Sequence, residues 1–200
     1  EIAGFVWFQG WNDMVDRGTY PHRDKPGGYD QYSEVLAHFI RDVRKDLSAP
    51  KLPFVIGVMG VGGPVDKYLP GQQRYKGIHQ NFRMAMAAPA SLPEFQGNVA
   101  AVLTEKYWDL QLGELSQRWN AVNAQGRNLR QDESLSDEER EQRLEAFTNE
   151  LFTSAELEIL QVGRSNAEYH YLGSAKILAQ IGRGFAEAIV ALDRQPSGAN

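Results

Sequence analysis

Two short strings carry the residue types of this chain best suited to chemistry. The first is the apolar run Phe5-Val6-Trp7-Phe8, which breaks into Gln9-Gly10-Trp11-Asn12-Asp13. A strand ending in glycine flanked by amides and a carboxylate presents polar groups where α/β enzymes hold their ligands. Gly10 lets the backbone turn sharply or approach a ligand closely. Gln9 and Asn12 each offer two uncharged N–H donors, suited to an oxygen that becomes negative only during a reaction. The second string is Asn166-Ala167-Glu168-Tyr169-His170-Tyr171-Leu172-Gly173-Ser174. A histidine on such a loop can act as a general base that activates a hydroxyl nucleophile. The plainer alternatives are an Asn-Asp turn after the strand and a histidine bonded to backbone before a helix.

Other chemistry-bearing residues are weaker candidates. Thr104-Glu105-Lys106-Tyr107-Trp108-Asp109 closes a third apolar run, and Asp109 or Glu105 there could orient a histidine or simply form a loop salt bridge. His38 and His79 lie within helical patterns, where structural roles are the rule, and His22 lies in a Pro/Gly-rich loop. No two histidines show metal-ligand spacing, and a chain without cysteine has no disulfide, thiolate site or cysteine nucleophile. No metal or cofactor is expected. Gly60-Val61-Gly62-Gly63 lacks the Gly-Lys-Ser/Thr ending and the spacing of a dinucleotide fingerprint, so it reads as a tight loop. Ser174 reads as part of a helix start, because no strand leads into it as a nucleophile elbow requires.

The elements that must position these residues follow from hydrophobic patterning. Ala3–Phe8, Pro53–Met59 and Asn98–Thr104 are short continuous apolar runs, as in strands covered on both faces of a parallel sheet. Tyr32, Val35, Leu36, Phe39, Ile40, Val43 and Leu47 describe one helical stripe, closed by Pro50 and Pro53. Tyr75, Ile78, Phe82 and Met86 mark a second helix. Leu112, Leu115, Trp119 and Val122 suggest a third, followed by a polar break around residues 125–130. Ser136 with Glu139 forms a capping box ahead of a highly charged helix bearing Leu144, Phe147 and Leu151. Residues 111–161 therefore read as a helical insertion or lid within a single domain spanning 1–200. A last amphipathic helix carries Leu178, Ile181, Phe185, Ile189 and Leu192, and a polar tail begins at Arg194.

The order strand-helix-strand-helix-strand, insert, helix implies an α/β sandwich with a mainly parallel sheet. Three strands make a thin sheet, since about five or six are usual. The chain also begins at Glu1 almost directly on a strand. Both features lead us to expect the C-terminal part of a longer domain whose N-terminal strands are missing. A net charge of −5 argues against a nucleic-acid or anionic-membrane surface. No apolar stretch approaches the roughly 20 residues of a membrane span. Oligomeric state is not encoded in any recognisable pattern.

Taken together, Trp7-Phe8-Gln9-Gly10, Leu52-Pro53-Phe54-Val55-Ile56-Gly57 and His170-Tyr171-Leu172-Gly173-Ser174-Ala175-Lys176 resemble the SGNH-hydrolase superfamily. The branch they resemble is that of sialate O-acetylesterases, related to carbohydrate esterase family six. The resemblance implies a flavodoxin-like three-layer α/β/α fold and deacetylation of acetylated sugars by a serine nucleophile and a histidine base. It makes His170 the base and gives Gly10 with Gln9 or Asn12 the oxyanion. The branch pattern Gln-Gly-Glu matches Gln9 and Gly10 but meets Trp11 in place of Glu. The wider pattern Gly-x-Asn-Asp is met by Gly10, Trp11, Asn12 and Asp13.

Two departures qualify that expectation. The superfamily's Asp three residues before the histidine is Ala167 here, so Glu168 or a carboxylate from another loop, such as Asp109, would orient His170. The family's Gly-x-Ser block is absent before Phe5, so the nucleophile is expected upstream of Glu1 and the 200-residue chain alone is expected to be inactive. A secreted or periplasmic protein is implied. The alternative is a glycan-binding protein on an esterase-like fold without catalysis, its tryptophans Trp7, Trp11 and Trp108 offering faces on which sugars stack.

Overall fold

In a computed structural model of the chain, residues 2–194 are described. The polar tail expected from Arg194 onward lies, from residue 195, outside the described residues. The chain divides into two compact units, Glu1–Trp108 with Leu178–Asn200, and Asp109–Ile177.

The first unit is built on three parallel strands, β1 (Phe5–Trp7), β2 (Phe54–Val58) and β3 (Val99–Leu103), lying side by side in chain order. Phe54 pairs with Phe5 on one side and Val99 on the other. All five residues of β2 are buried, which explains why its sequence is an unbroken apolar run. The short helix α1 (Trp11–Val15) follows β1, α2 (Asp30–Asp46) joins β1 to β2, and α3 (Lys76–Ala87) joins β2 to β3.

Alternation along the strands divides the core into two layers. On one face Phe39 of α2 meets Phe5, Trp7 and Phe54 at ring-centroid distances of 5.9, 4.6 and 6.2 Å. Phe82 of α3 is fully buried there between Tyr29 and Tyr32. On the other face Val55, Ala100 and Val102 pack against Phe185, Ala188, Ile189 and Leu192 of α7 (Ala175–Asp193). Each fully buried side chain of this size contributes about 1.5–3 kcal/mol. Helix, parallel sheet and helix form a partial flavodoxin-like α/β/α sandwich. At the amino edge Arg44 donates to the carbonyls of Leu52 (2.9 Å) and Asn98 (3.0 Å), fixing the starts of β2 and β3.

The second unit is helical: α4 (Leu110–Gln131), α5 (Asp137–Leu151) and α6 (Ser154–Gly163), then a turn of 3-10 character over Glu168–Gly173. Ser136 and Glu139 form the capping box read from the sequence, with Ser136 N–H donating to Glu139 Oε2 at 2.8 Å. A second box, Thr153 with Glu156, starts α6.

Three details correct the patterning. No break interrupts α4 at residues 125–130: Leu129 is buried and Gly126 lies against Leu144, so tertiary contact carries the helix through. In α2, Val35 is 59 % exposed and Leu47 40 %, leaving the stripe to Tyr32, Leu36, Ile40 and their partly buried neighbours. In α7 the buried residue is Ile177 and Leu178 is 45 % exposed, because the buried face runs through 177, 181 and 184–185. Among the described residues no helix is long and apolar enough to cross a membrane, and no cluster of three or more metal-ligating side chains occurs.

Candidate active site

The string Gln9–Asp13 stands at the carboxyl edge of the parallel sheet, the side on which such sheets hold ligands. Gly10 caps α1 with φ 155° and ψ −7°. A Cβ at this position would lie 2.8 Å from Phe82 Cε1 and 3.4 Å from Met86 Cε. Backbone conformation and packing therefore both require glycine. Tyr32 Oη donates to the Gln9 carbonyl at 3.3 Å, holding the strand end. Gln9 Nε2 donates to Asp13 Oδ2 at 2.8 Å, bringing together two of the sequence candidates and directing the Gln9 amide. Asn12 is exposed on α1 and Trp11 is half-buried. Burial, with the charge of Asp13 adding to it, pushes the Tyr32 phenol up to about 12, so it remains a donor at neutral pH.

His170 lies in the second unit on the turn between α6 and α7, and is exposed. Its ring packs on Tyr169 with centroids 4.3 Å apart. Asn166 Oδ1 accepts the Ala167 N–H at 2.7 Å and lies 3.1 Å from His170 Nδ1. An oxygen that already accepts a backbone N–H takes a donor from the imidazole too, so Nδ1 carries the proton and Nε2 the lone pair. The next three residues, Tyr171, Leu172 and Gly173, have φ values of 53°, 60° and 59°. Left-handed backbone at a side-chain-bearing residue costs roughly 1–2 kcal/mol. Burial of Tyr171 and Leu172, and the bonds of Ser165 and Asn166 N–H to the Leu172 carbonyl (2.9 and 3.0 Å), offset that cost.

The acidic candidates for orienting His170 within the second unit are Asp109 and Glu168. Asp109 accepts from Leu112 N–H at 3.0 Å as the cap of α4 and pairs with Lys176 Nζ at 2.7 Å. Burial alone would raise its carboxyl, but the Lys176 and Leu112 bonds outweigh burial and hold it below the ordinary carboxylate value. This ion pair lines a cavity of about 560 Å³ together with Leu112, Glu158, Ile159 and Ser174; His170 is not among the lining residues. Glu168 is half-buried at the start of the histidine turn. Of the sequence candidates, the structure brings together Gln9, Gly10 and Asp13; the partner it gives His170 is Asn166.

Asn166 was not singled out by sequence reasoning, although an Asn four residues before a histidine on a Gly-terminated turn is a legible signal. A second unforeseen group lies at the carboxyl ends of β2 and β3. Arg83, only 8 % exposed, donates to the carbonyls of Met59 (2.9 Å), Val61 (2.9 Å) and Gly63 (3.0 Å), and pairs with Glu105. Those carbonyls belong to the glycine loop, whose Gly62 and Gly63 have φ values of 82° and 77°. The loop is thus wound around a buried guanidinium and not around a phosphate. Glu105 forms a salt bridge, the simpler of the two readings made for it.

The fold and the amide-lined strand end define an α/β protein with polar groups at the carboxyl edge of a parallel sheet. Residues 1–76 match the family model described as carbohydrate esterase, sialic acid-specific acetylesterase. The match bears out the resemblance to the sialate O-acetylesterase-like branch and covers the Gln9–Asp13 string, β1 and β2. It ends at the first residue of α3, before β3 and His170. No curated protein and no solved structure matches the chain.

Proposed function

We propose that this chain is the C-terminal part of a carbohydrate O-acetylesterase that hydrolyses acetyl esters on sugars by a serine-histidine mechanism. The observation that carries the reading is the family match over the Gln9–Asp13 string, a segment that turns at the carboxyl edge of a parallel sheet on an obligatory glycine. A serine preceding residue 1 would supply the nucleophile. His170 Nε2 would take the serine proton as the hydroxyl attacks the acetyl carbonyl. The tetrahedral oxyanion would then be held by Gly10 with Gln9 or Asn12. Collapse would expel the sugar oxygen, reprotonated by His170, and water would hydrolyse the acetyl-enzyme by the same route. One oxyanion donor is worth about 2.7–4 kcal/mol of transition-state stabilisation. Asn166 takes the orienting place expected of a carboxylate, as an amide does in Cys-His-Asn enzymes. Residues 111–161 would be an insertion or lid, and secretion or a periplasmic location suits an acetylated glycan substrate.

The test is acetate release from O-acetylated sialic acid by the protein extended through its upstream sequence. The extended protein should release acetate, and the 200-residue chain should not. Unchanged turnover in His170→Ala would overturn the base assignment. Glycan binding without acetate release would favour the non-catalytic binding protein.

A further inference from the structure

One cavity carries polar groups that the proposed mechanism leaves unused. It is the cleft of about 560 Å³ that the Asp109–Lys176 pair lines. A volume of that order is ordinary for a small-molecule site, where roughly 300–1,000 Å³ is usual. Its walls come from the starts of α4 and α7 and the second half of α6, and every lining residue belongs to the second unit.

Ser174 is the telling member. It is only 2 % exposed, yet it lines the cleft. It stands directly before Ala175, the first residue of α7, where a serine hydroxyl ordinarily accepts one of the helix's free N–H groups. Its backbone N–H donates to the Tyr171 carbonyl at 3.1 Å, but its hydroxyl bonds to no group among the described residues. That oxygen is not one of the buried polar atoms lacking a partner, so it is open to the cleft that the residue lines. Lys176 Nζ has Asp109 as its acceptor and two further N–H bonds to give.

Charge narrows the occupant. Asp109 and Glu158 line the cleft against Lys176 alone, one negative charge in excess, which disfavours an anion. Lys176 already neutralises Asp109 at 2.7 Å, and the amino end of the 19-residue α7 carries partial positive charge, which disfavours a cation. An uncharged group with both donors and acceptors meets neither penalty. Sugar hydroxyls are of this kind: they accept from Ser174 and Lys176 and donate to the carboxylates. Leu112, Ile159 and the 83 % exposed Val162 add apolar surface suited to the C–H face of a sugar ring.

We propose that this cleft is a binding subsite for an uncharged sugar residue, with Ser174 Oγ, Lys176 Nζ and Asp109 as ligand-contacting groups. The ligand class follows from the lining. That the sugar belongs to an O-acetylated glycan rests on the carbohydrate esterase reading.

The experiment titrates the ¹⁵N-labelled chain with methyl glycosides at pH 6. Those of glucose, galactose and N-acetylglucosamine are neutral, that of glucuronic acid is anionic and that of glucosamine cationic. At least one neutral glycoside should bind with a Kd of about millimolar order and move the amide signals of Ala175 and Lys176. Both charged glycosides should bind several-fold more weakly. Ser174→Ala should weaken the neutral ligand about two- to tenfold. Glu158→Gln should bring the anionic glycoside closer to the neutral one. Tighter binding of a charged glycoside, unchanged affinity in folded Ser174→Ala, or binding that leaves Ala175 and Lys176 silent overturns the proposal. If Ser174→Ala does not fold, the charge order and the amide signals of the wild-type chain decide. No binding of any neutral glycoside overturns the subsite and leaves the esterase reading, which acetate release by the extended protein tests. Sugar binding here without acetate release by the extended protein overturns the esterase reading and leaves the subsite in place.

Discussion

Asn166 Oδ1 bonds the Ala167 N–H at 2.7 Å and His170 Nδ1 at 3.1 Å, so the partner of this histidine is a neutral amide locked by its own backbone. A general base contributes about 10²–10⁴-fold, and a base with the wrong tautomer forfeits part of that. In the extended protein, Asn166→Ala should lower kcat about ten- to a hundredfold with little change in KM. Asn166→Asp, which keeps the acceptor, should recover most of the loss. Equal kcat values for wild type and Asn166→Ala in steady-state acetate release would remove Asn166 from the mechanism.

Gly10 should be the least replaceable residue of the opening string. A methyl group there meets Phe82 at 2.8 Å and forces a side-chain-bearing residue to φ 155°. Strain of that kind costs about 1–3 kcal/mol, and in a chain of this size each kcal/mol lowers Tm by about 2–4 °C. Gly10→Ala should melt several degrees below wild type. Adding Phe82→Leu opens space without relieving φ, so no more than part of the loss should return in a thermal melt.

The strands were legible because β2 is buried on every residue, which writes itself as an unbroken apolar run. Ser136 and Glu139 were legible because a capping box is local in sequence. The same pattern at Thr153 and Glu156 starts α6 within residues 111–161, which read from the sequence as a helical insertion or lid. The Arg83 group was not legible. Its partners lie between 15 and 24 residues away, and no spacing rule joins an arginine to three carbonyls of a glycine loop. At the histidine turn, the bond from Asn166 depends on three successive left-handed residues, and Tyr171 and Leu172 have no intrinsic preference for that conformation. The continuity of α4 through residues 125–130 was hidden for a related reason: Gly126 and its polar neighbours are held helical by contact with α5.

Arg83 and Glu105 should respond unequally to truncation. Arg83→Met strips three loop carbonyls of their donor and leaves Glu105 without its cation, a loss of about 3–5 kcal/mol by comparison with other broken buried pairs. Glu105 is 28 % exposed in its side chain, and Arg83 keeps its carbonyls when the carboxylate goes, so Glu105→Gln should cost clearly less. Urea unfolding of the two variants gives the order directly. The reverse order would mean that the ion pair, not the carbonyl cage, holds the loop.

His79 makes the stability of the first unit depend on pH with a definite sign. Its folded value of about 4 lies below the ordinary 6.5, with burial as the largest cause. Between those values the unfolded chain binds a proton that the folded chain refuses, so unfolding becomes easier as pH falls from 6.5 to 4. Above 6.5 both states are neutral and the contribution is complete; below 4 both are charged and it is gone. The full difference amounts to about 3 kcal/mol. Urea midpoints measured at half-unit steps from pH 7 to 4 should therefore decline in wild type. The decline should be much shallower in His79→Phe, whatever that substitution does to the absolute stability. Parallel slopes in the two proteins would show that His79 is protonated as readily in the fold as out of it.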